Sequence, residues 1–145
     1  MRWVLAVTLA STVAAAEPTP KEEVTEVARE VFRALLAGDA QAVADRSALP
    51  FVLENRTFRE PEPLLEEWLR QLGARRTDLL VLNGIEVLTP EEMAARFGAP
   101  PARLQSFPWR TRGALIVIGN LSGHSAVAVF RSVKKGDWRL IAYHD

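Results

Sequence analysis

The chain reads as an α+β domain: N-terminal helices packed on a curved antiparallel β-sheet. Three observations predict it. Apolar residues recur at helical spacing over much of residues 20–73. Three apolar strands separated by tight turns close the chain at 114–144. The 145 residues include no cysteine, so a single hydrophobic core must hold the fold, and the length suffices for one. Helices first and strands last place the helices as a layer against one face of the sheet.

The first sixteen residues, MRWVLAVTLASTVAAA, read as a cleaved secretory signal. Arg2 supplies the positive start, Trp3 to Ala10 the apolar stretch, and Ala14-Ala15-Ala16 the small residues of a cleavage site. The apolar part is shorter than the ~20 residues of a membrane-spanning helix, so no span is expected after cleavage. The expectation is one domain, 17–145, exported to a bacterial periplasm or beyond the cell. The absent cysteine excludes a lipid-modified signal and disulfides alike.

The first helix starts at TPKE: Thr19 caps, Pro20 suits the first turn, and Glu22 reaches back to the Thr19 amide. Val24, Val27, Ala28, Val31 and Leu35 form its apolar stripe, and Gly38 stops it. Asp39 caps a shorter helix that fades at Asp45 to Ser47. PFVLENRTF is a small hairpin turning at Glu54-Asn55-Arg56. EPLLEEWLRQLG is a third helix, with Leu64, Leu65, Trp68, Leu69 and Leu72 on one side.

DLLVLNGIEVL is an apolar strand interrupted at Asn83-Gly84, and TPEEMAARFG repeats the capping box of the first helix. APPARLQSFPWRTRG, with three prolines, is neither a regular helix nor a central strand. ALIVIGN, SAVAVFRSV and WRLIAYH then form an antiparallel meander, turning at Leu121-Ser122-Gly123 and Lys134-Lys135-Gly136-Asp137.

Eighteen basic residues balance eighteen acidic ones, which argues against nucleic acid or anionic lipid as an electrostatic partner. Arginine and alanine are abundant, as in a GC-rich bacterial genome, and there the acceptor-like NRT and NLS triplets at Asn55 and Asn120 are accidental. No Gly-rich phosphate loop, Gly-x-Ser-x-Gly elbow or His-Glu-x-x-His motif occurs, and no cofactor or metal is expected.

Both histidines lie near the end of the chain. Counting back from the last turn sets Arg131 opposite Arg139 and Ala126 opposite His144. His124 then becomes a diagonal neighbour of His144 on one face, while Asp145, the next residue along, points to the other. Two imidazoles so placed can serve as acid and base. They can equally be polar tips of a hairpin. The same register puts Leu115, Val117, Ala126, Ala128, Phe130, Trp138, Leu140 and Ala142 on the histidine face. Ile116, Ile118, Val127, Val129, Ile141 and Tyr143 fall on the opposite one. One face meets the helices. The other, unless covered, is an exposed apolar patch of the kind that seats a partner, here a second copy of the chain.

VFRALLAGDAQAVADRSALPFV resembles the opening of nuclear transport factor 2-like domains, the group that includes SnoaL-like and ketosteroid-isomerase-like proteins. AVAVFRSVKKGDWRLIAYHD resembles their ending. The resemblance implies a cystatin-like cone: a curved sheet wrapped around the long first helix and open at one end. That fold hosts enzymes, binders and oligomerisation modules. Ketosteroid isomerases use an Asp base with a Tyr and a protonated Asp at the oxyanion. Here the first helix offers Phe32 and Leu35 where that tyrosine is expected, which argues against isomerase chemistry. SnoaL-like cyclases and dehydratases imply Asp and His in the cone, for which Asp45, His124 and His144 are the catalytic candidates.

The resemblance also brings Asp45, Arg46, Glu54 and Arg56 toward the pocket mouth, either as a ligand-orienting set or as solvated ion pairs. Trp109, with Phe107, Arg110 and Arg112 beside it, is a lid candidate or a tucked-in surface aromatic. Tyr143, the single tyrosine, joins Arg46, Glu54, Arg56 and Trp109 as a ligand-binding candidate. The leading expectation is a non-enzymatic exported domain that binds a small apolar ligand or a protein partner, as a homodimer. The runner-up is a SnoaL-like cyclase, dehydratase or isomerase acting on a hydrophobic ring compound. The third is a purely structural module with a packed cone.

Overall fold

A computed structural model describes residues 14 and 16–145. The signal-like stretch at 1–16 therefore falls almost wholly outside the described residues.

Helix α1 (Pro20–Leu36) carries the capping box read from TPKE, closed by Thr19 and Glu22 in both directions. Its stripe of Val24, Ala28, Val31, Phe32 and Leu35 is buried. α2 (Ala40–Asp45) is capped by Asp39. β1 (Ser47–Leu53) and β2 (Arg56–Phe58) form the expected hairpin, and α3 (Pro61–Gly73) buries Leu64, Trp68 and Leu72. β3 (Leu82–Leu88) is shorter than the expected strand, because Thr77–Leu79 form a 3-10 turn, and it runs through Asn83-Gly84 with only a register shift. α4 (Pro90–Phe97) follows the second capping Thr, Thr89. The meander comprises β4 (Leu115–Leu121), β5 (His124–Lys134) and β6 (Asp137–His144). Among the described residues no helix is long and apolar enough to cross a membrane.

The six strands form one sheet in the order β2-β1-β6-β5-β4-β3. It is mixed rather than antiparallel throughout, because β1 lies parallel to β6. The reason is topological. The chain returns from the hairpin through α3, β3 and α4 to the far edge, and the closing meander then brings β6 back beside β1.

Arg131 does face Arg139, as the turn predicts, but Ala126 does not face His144. Phe130 pairs with Leu140 and Val129 with Ala142, so Ile141 is an extra residue in β6. Such a bulge sets two residues against one and inverts the alternation beyond it. Ile141 and Ala142 both join the outer cluster, while Tyr143 joins the core under the helices. His144 lies opposite Val127 on the outer face.

The inner face carries Leu115, Val117, Ala126, Ala128, Phe130, Trp138, Leu140 and Tyr143 against α1, α2 and α3. The outer face carries Val52, Ile116, Val129, Ile141 and Ala142. The chain covers it itself: Leu104 and Phe107 of the proline-rich segment, and Ala114 just after it, are buried there, with Trp109 half-buried beside them. The patch expected to seat a second copy thus has an occupant within the same chain.

Candidate functional site

The interior of the cone is filled. Trp68 stands between Tyr143 and Phe51, with ring centroids 5.4 and 6.1 Å away. Phe32 lies 6.4 Å from Tyr143. All four rings are essentially inaccessible to solvent. The indole N–H of Trp68 is buried there without a hydrogen-bond partner among the described residues. The Tyr143 hydroxyl donates to Asp145 Oδ2 at 3.1 Å, and Arg75 holds the same carboxylate at 2.6 Å. Burial, then the neighbouring Asp145 charge, pushes the Tyr143 pKa far above its ordinary value. The hydroxyl is a fixed donor on a core ring.

The sequence candidates are dispersed around this interior. His124 opens β5 opposite Leu121 and is exposed. By strand alternation it belongs to the inner-face set of Ala126, whereas the bulge has turned His144 outward. The structure does not bring the two imidazoles together. Asp45 ends α2, where its side chain takes a hydrogen bond from Gln41 and its carbonyl one from Arg139. Arg46 pairs with Glu30, and these residues line a shallow cleft of about 410 Å³ on the helical side. Arg56 lies over the Phe58 ring and pairs with Glu67 at 3.3 Å. Trp109 stacks near Phe107, at 5.1 Å, and its indole donates to the Leu104 carbonyl at 2.7 Å. It is the tucked-in surface aromatic rather than a free lid.

Glu54 and His144 do meet. The buried Nδ1 of His144 is in contact with the Glu54 carboxylate, without the alignment of a hydrogen bond. Phe107 stands edge-on to the imidazole, with centroids 6.2 Å apart. Glu54 also accepts from the Asp145 amide at 3.4 Å. The pair sits at a polar cleft of about 570 Å³ that also takes in Asn55, Arg103, Gln105 and Ser106.

Glu54 adopts φ +57° at the hairpin turn, a conformation costing an L-residue roughly 1–2 kcal/mol. A glycine there would relieve that cost. The carboxylate at this position instead faces an imidazole across the turn. Sequence spacing could not reveal this contact, because the bulge at Ile141 sets it.

A larger groove of about 1200 Å³ lies on another side of the molecule. The two Thr-Pro helix starts form its walls, with Pro20 and Pro90 both lining it; the reciprocal capping-box bond is made at Thr19, whereas at α4 the Glu92 carboxylate binds Lys21 and Thr89 alone caps. Lys21 of one helix bonds Glu92 of the other at 2.7 Å and ties the walls together. Ala94, Ala114, Leu115 and Trp138 add apolar lining, and Arg110 and Arg112 line it as well. Trp138 is fixed by a 2.7 Å hydrogen bond to Glu23. Among the described residues no group of three metal-ligating side chains occurs.

No family model matches the chain, and no curated protein matches it. Solved structures do. A provisionally assigned calcium/calmodulin dependent protein kinase II association domain from Xanthomonas campestris is 16% identical, with TM-score 0.50, covering 96% of this chain and 95% of that one. A provisionally assigned ketosteroid isomerase from Parabacteroides distasonis is 13% identical, with TM-score 0.53, covering 87% of this chain and 86% of that one. An NTF2-like protein of unknown function from Cytophaga hutchinsonii is 13% identical, with TM-score 0.40, covering 90% and 91%. The chain has the nuclear transport factor 2-like cone fold.

Proposed function

We propose that this chain is a non-catalytic binding domain, exported as its signal-like opening implies, that takes a small apolar ligand in the groove between α1 and α4. The observation carrying this reading is the division of space in the molecule. Phe32, Phe51, Trp68 and Tyr143 occupy the cone interior, where this fold would otherwise have room for a substrate. The groove beside Trp138 is open, mostly apolar in its lining, and braced across its walls by Lys21 and Glu92. Ligand sites are concave and predominantly apolar, with a few placed polar groups.

The test is saturable binding of a neutral apolar dye, N-phenyl-1-naphthylamine. Ala94→Trp on α4 fills the groove from an exposed position and should abolish the signal. Dye binding that does not saturate, or that survives Ala94→Trp, overturns the reading.

One observation favours a second reading, a SnoaL-like enzyme acting on a hydrophobic ring compound: the Glu54–His144 contact at a polar cleft, held by a strained backbone. Of the three catalytic candidates, only His144 lines that cleft. Turnover of a ring substrate lost in both Glu54→Gln and His144→Gln would establish it.

A further inference from the structure

We propose that the α1–α4 groove selects a free single-chain amphipathic acid, an apolar tail ending in a carboxylate, over a neutral molecule of the same length. This deepens the apolar-binding reading and rests on it.

The tail follows from the walls. The sequence starts a helix with Thr-Pro twice, and the fold brings both starts to one groove. Proline at the first helical position offers an apolar ring and has no backbone N–H. Pro20, Pro90, Ala94, Leu115 and Trp138 thus make a surface with little demand for hydrogen bonds. The Trp138 indole N–H already has its partner in Glu23.

The acid follows from the rim. Arg110 and Arg112 line the groove, are exposed, and make no salt bridge among the described residues. Most other arginines of the chain find a carboxylate: Arg29, Arg46, Arg56, Arg70, Arg75, Arg76, Arg96 and Arg139 all do. Lys21, the other cation of the groove, is neutralised by Glu92. Of the nearby acids, Glu91 lines the groove and makes no salt bridge to either arginine, and Glu23 is engaged by the Trp138 indole. The groove therefore offers two guanidinium groups without a carboxylate partner beside an apolar body. A guanidinium fork matches a carboxylate in geometry and charge.

The experiment is displacement of bound N-phenyl-1-naphthylamine by dodecanoate and by dodecanol, in the parent protein and in Arg110→Gln/Arg112→Gln. Both arginines are exposed, so the double variant should keep the parent's thermal midpoint, which circular dichroism checks. The expected result is a dodecanoate midpoint at least tenfold below that of dodecanol in the parent, and equal midpoints in the double variant. Shortening to decanoate should weaken displacement by about fourfold per methylene removed if the tail is buried.

Equal midpoints in the parent overturn the acid selectivity while the apolar groove stands. A dye that never binds overturns the groove reading and this inference with it. Capture by phosphatidylglycerol vesicles with no displacement by free dodecanoate overturns the free acid in favour of a membrane headgroup.

Discussion

The ring tip of Phe32, on α1, abuts the backbone of Gly119, in the middle of β4. A β-carbon added at Gly119 would lie 2.5 Å from Cζ of that ring, closer than real contacts allow. Helix and sheet are therefore fitted at this point by the absence of a side chain. Gly119→Ala should destabilise the fold by about 1–3 kcal/mol through overpacking, even though alanine lowers the entropy of the unfolded chain. Urea unfolding reads the loss. Phe32→Leu on the Gly119→Ala background should recover part of it, and a double variant no better than Gly119→Ala would locate the strain elsewhere.

At the β1–β2 turn, Glu54 combines an unfavourable backbone with a contact to His144. Glu54→Ala keeps the strain and loses the contact. Glu54→Gly relieves the strain. The glycine variant should therefore be at least as stable as the parent and about 1 kcal/mol more stable than the alanine variant. Thermal unfolding decides, and an alanine variant as stable as the glycine one would remove strain as a feature of this site.

Acid stability should depend on Glu67. Hydrogen bonds from Arg70 and then Gln71 hold its pKa at about 2, against 4.5 for the unperturbed group. A lowered native pKa stabilises the fold above the unfolded value, and that contribution is lost as pH falls from about 4.5 towards 2. Arg70 and Arg56 are both largely exposed, so solvent screens the pair interactions and their contribution is small. Glu67→Gln should flatten stability against pH in that window and leave the pH 5–8 region nearly parallel to the parent.

The cover of the outer face is a further point of test. Phe107→Ala removes a buried ring and should cost about 3–5 kcal/mol. Trp109→Phe loses the indole hydrogen bond to Leu104 and should cost ~1 kcal/mol. The double variant Phe107→Ala/Trp109→Ala exposes Ile116, Val129 and Ile141, and its mass by light scattering should rise with concentration. A double variant that keeps the parent's mass would show that this face has no tendency to self-associate.

Element types and order were legible in the sequence because each carries its own local signal. Two Thr-Pro helix starts, an Asp cap and apolar residues at helical spacing marked the helices. Short apolar runs between Gly-containing turns marked the strands. The irregular nature of 99–113 was equally plain from its prolines. The register shifts at Val133 beside the turn and again at Ile141, and the second shift is the one that moves the histidines. Ile141 and Ala142 are both apolar, so nothing in their chemistry announces that both face the same way.

That single bulge separated His124 from His144, turned Tyr143 into the core, and gave His144 to Glu54. By itself the sequence determined an α+β chain with one core and balanced charge, since those follow from composition, local periodicity, caps and turn residues; the nuclear transport factor 2-like arrangement was implied by resemblance of its opening and closing segments. Only the tertiary structure decided which groups meet. The parallel pairing of β1 with β6, the burial of Phe107 over the outer face, the packed cone and the joining of two distant Thr-Pro helix starts into one groove are contacts between residues far apart in the chain. They depend on how surfaces fit in three dimensions, and no local pattern encodes that fit.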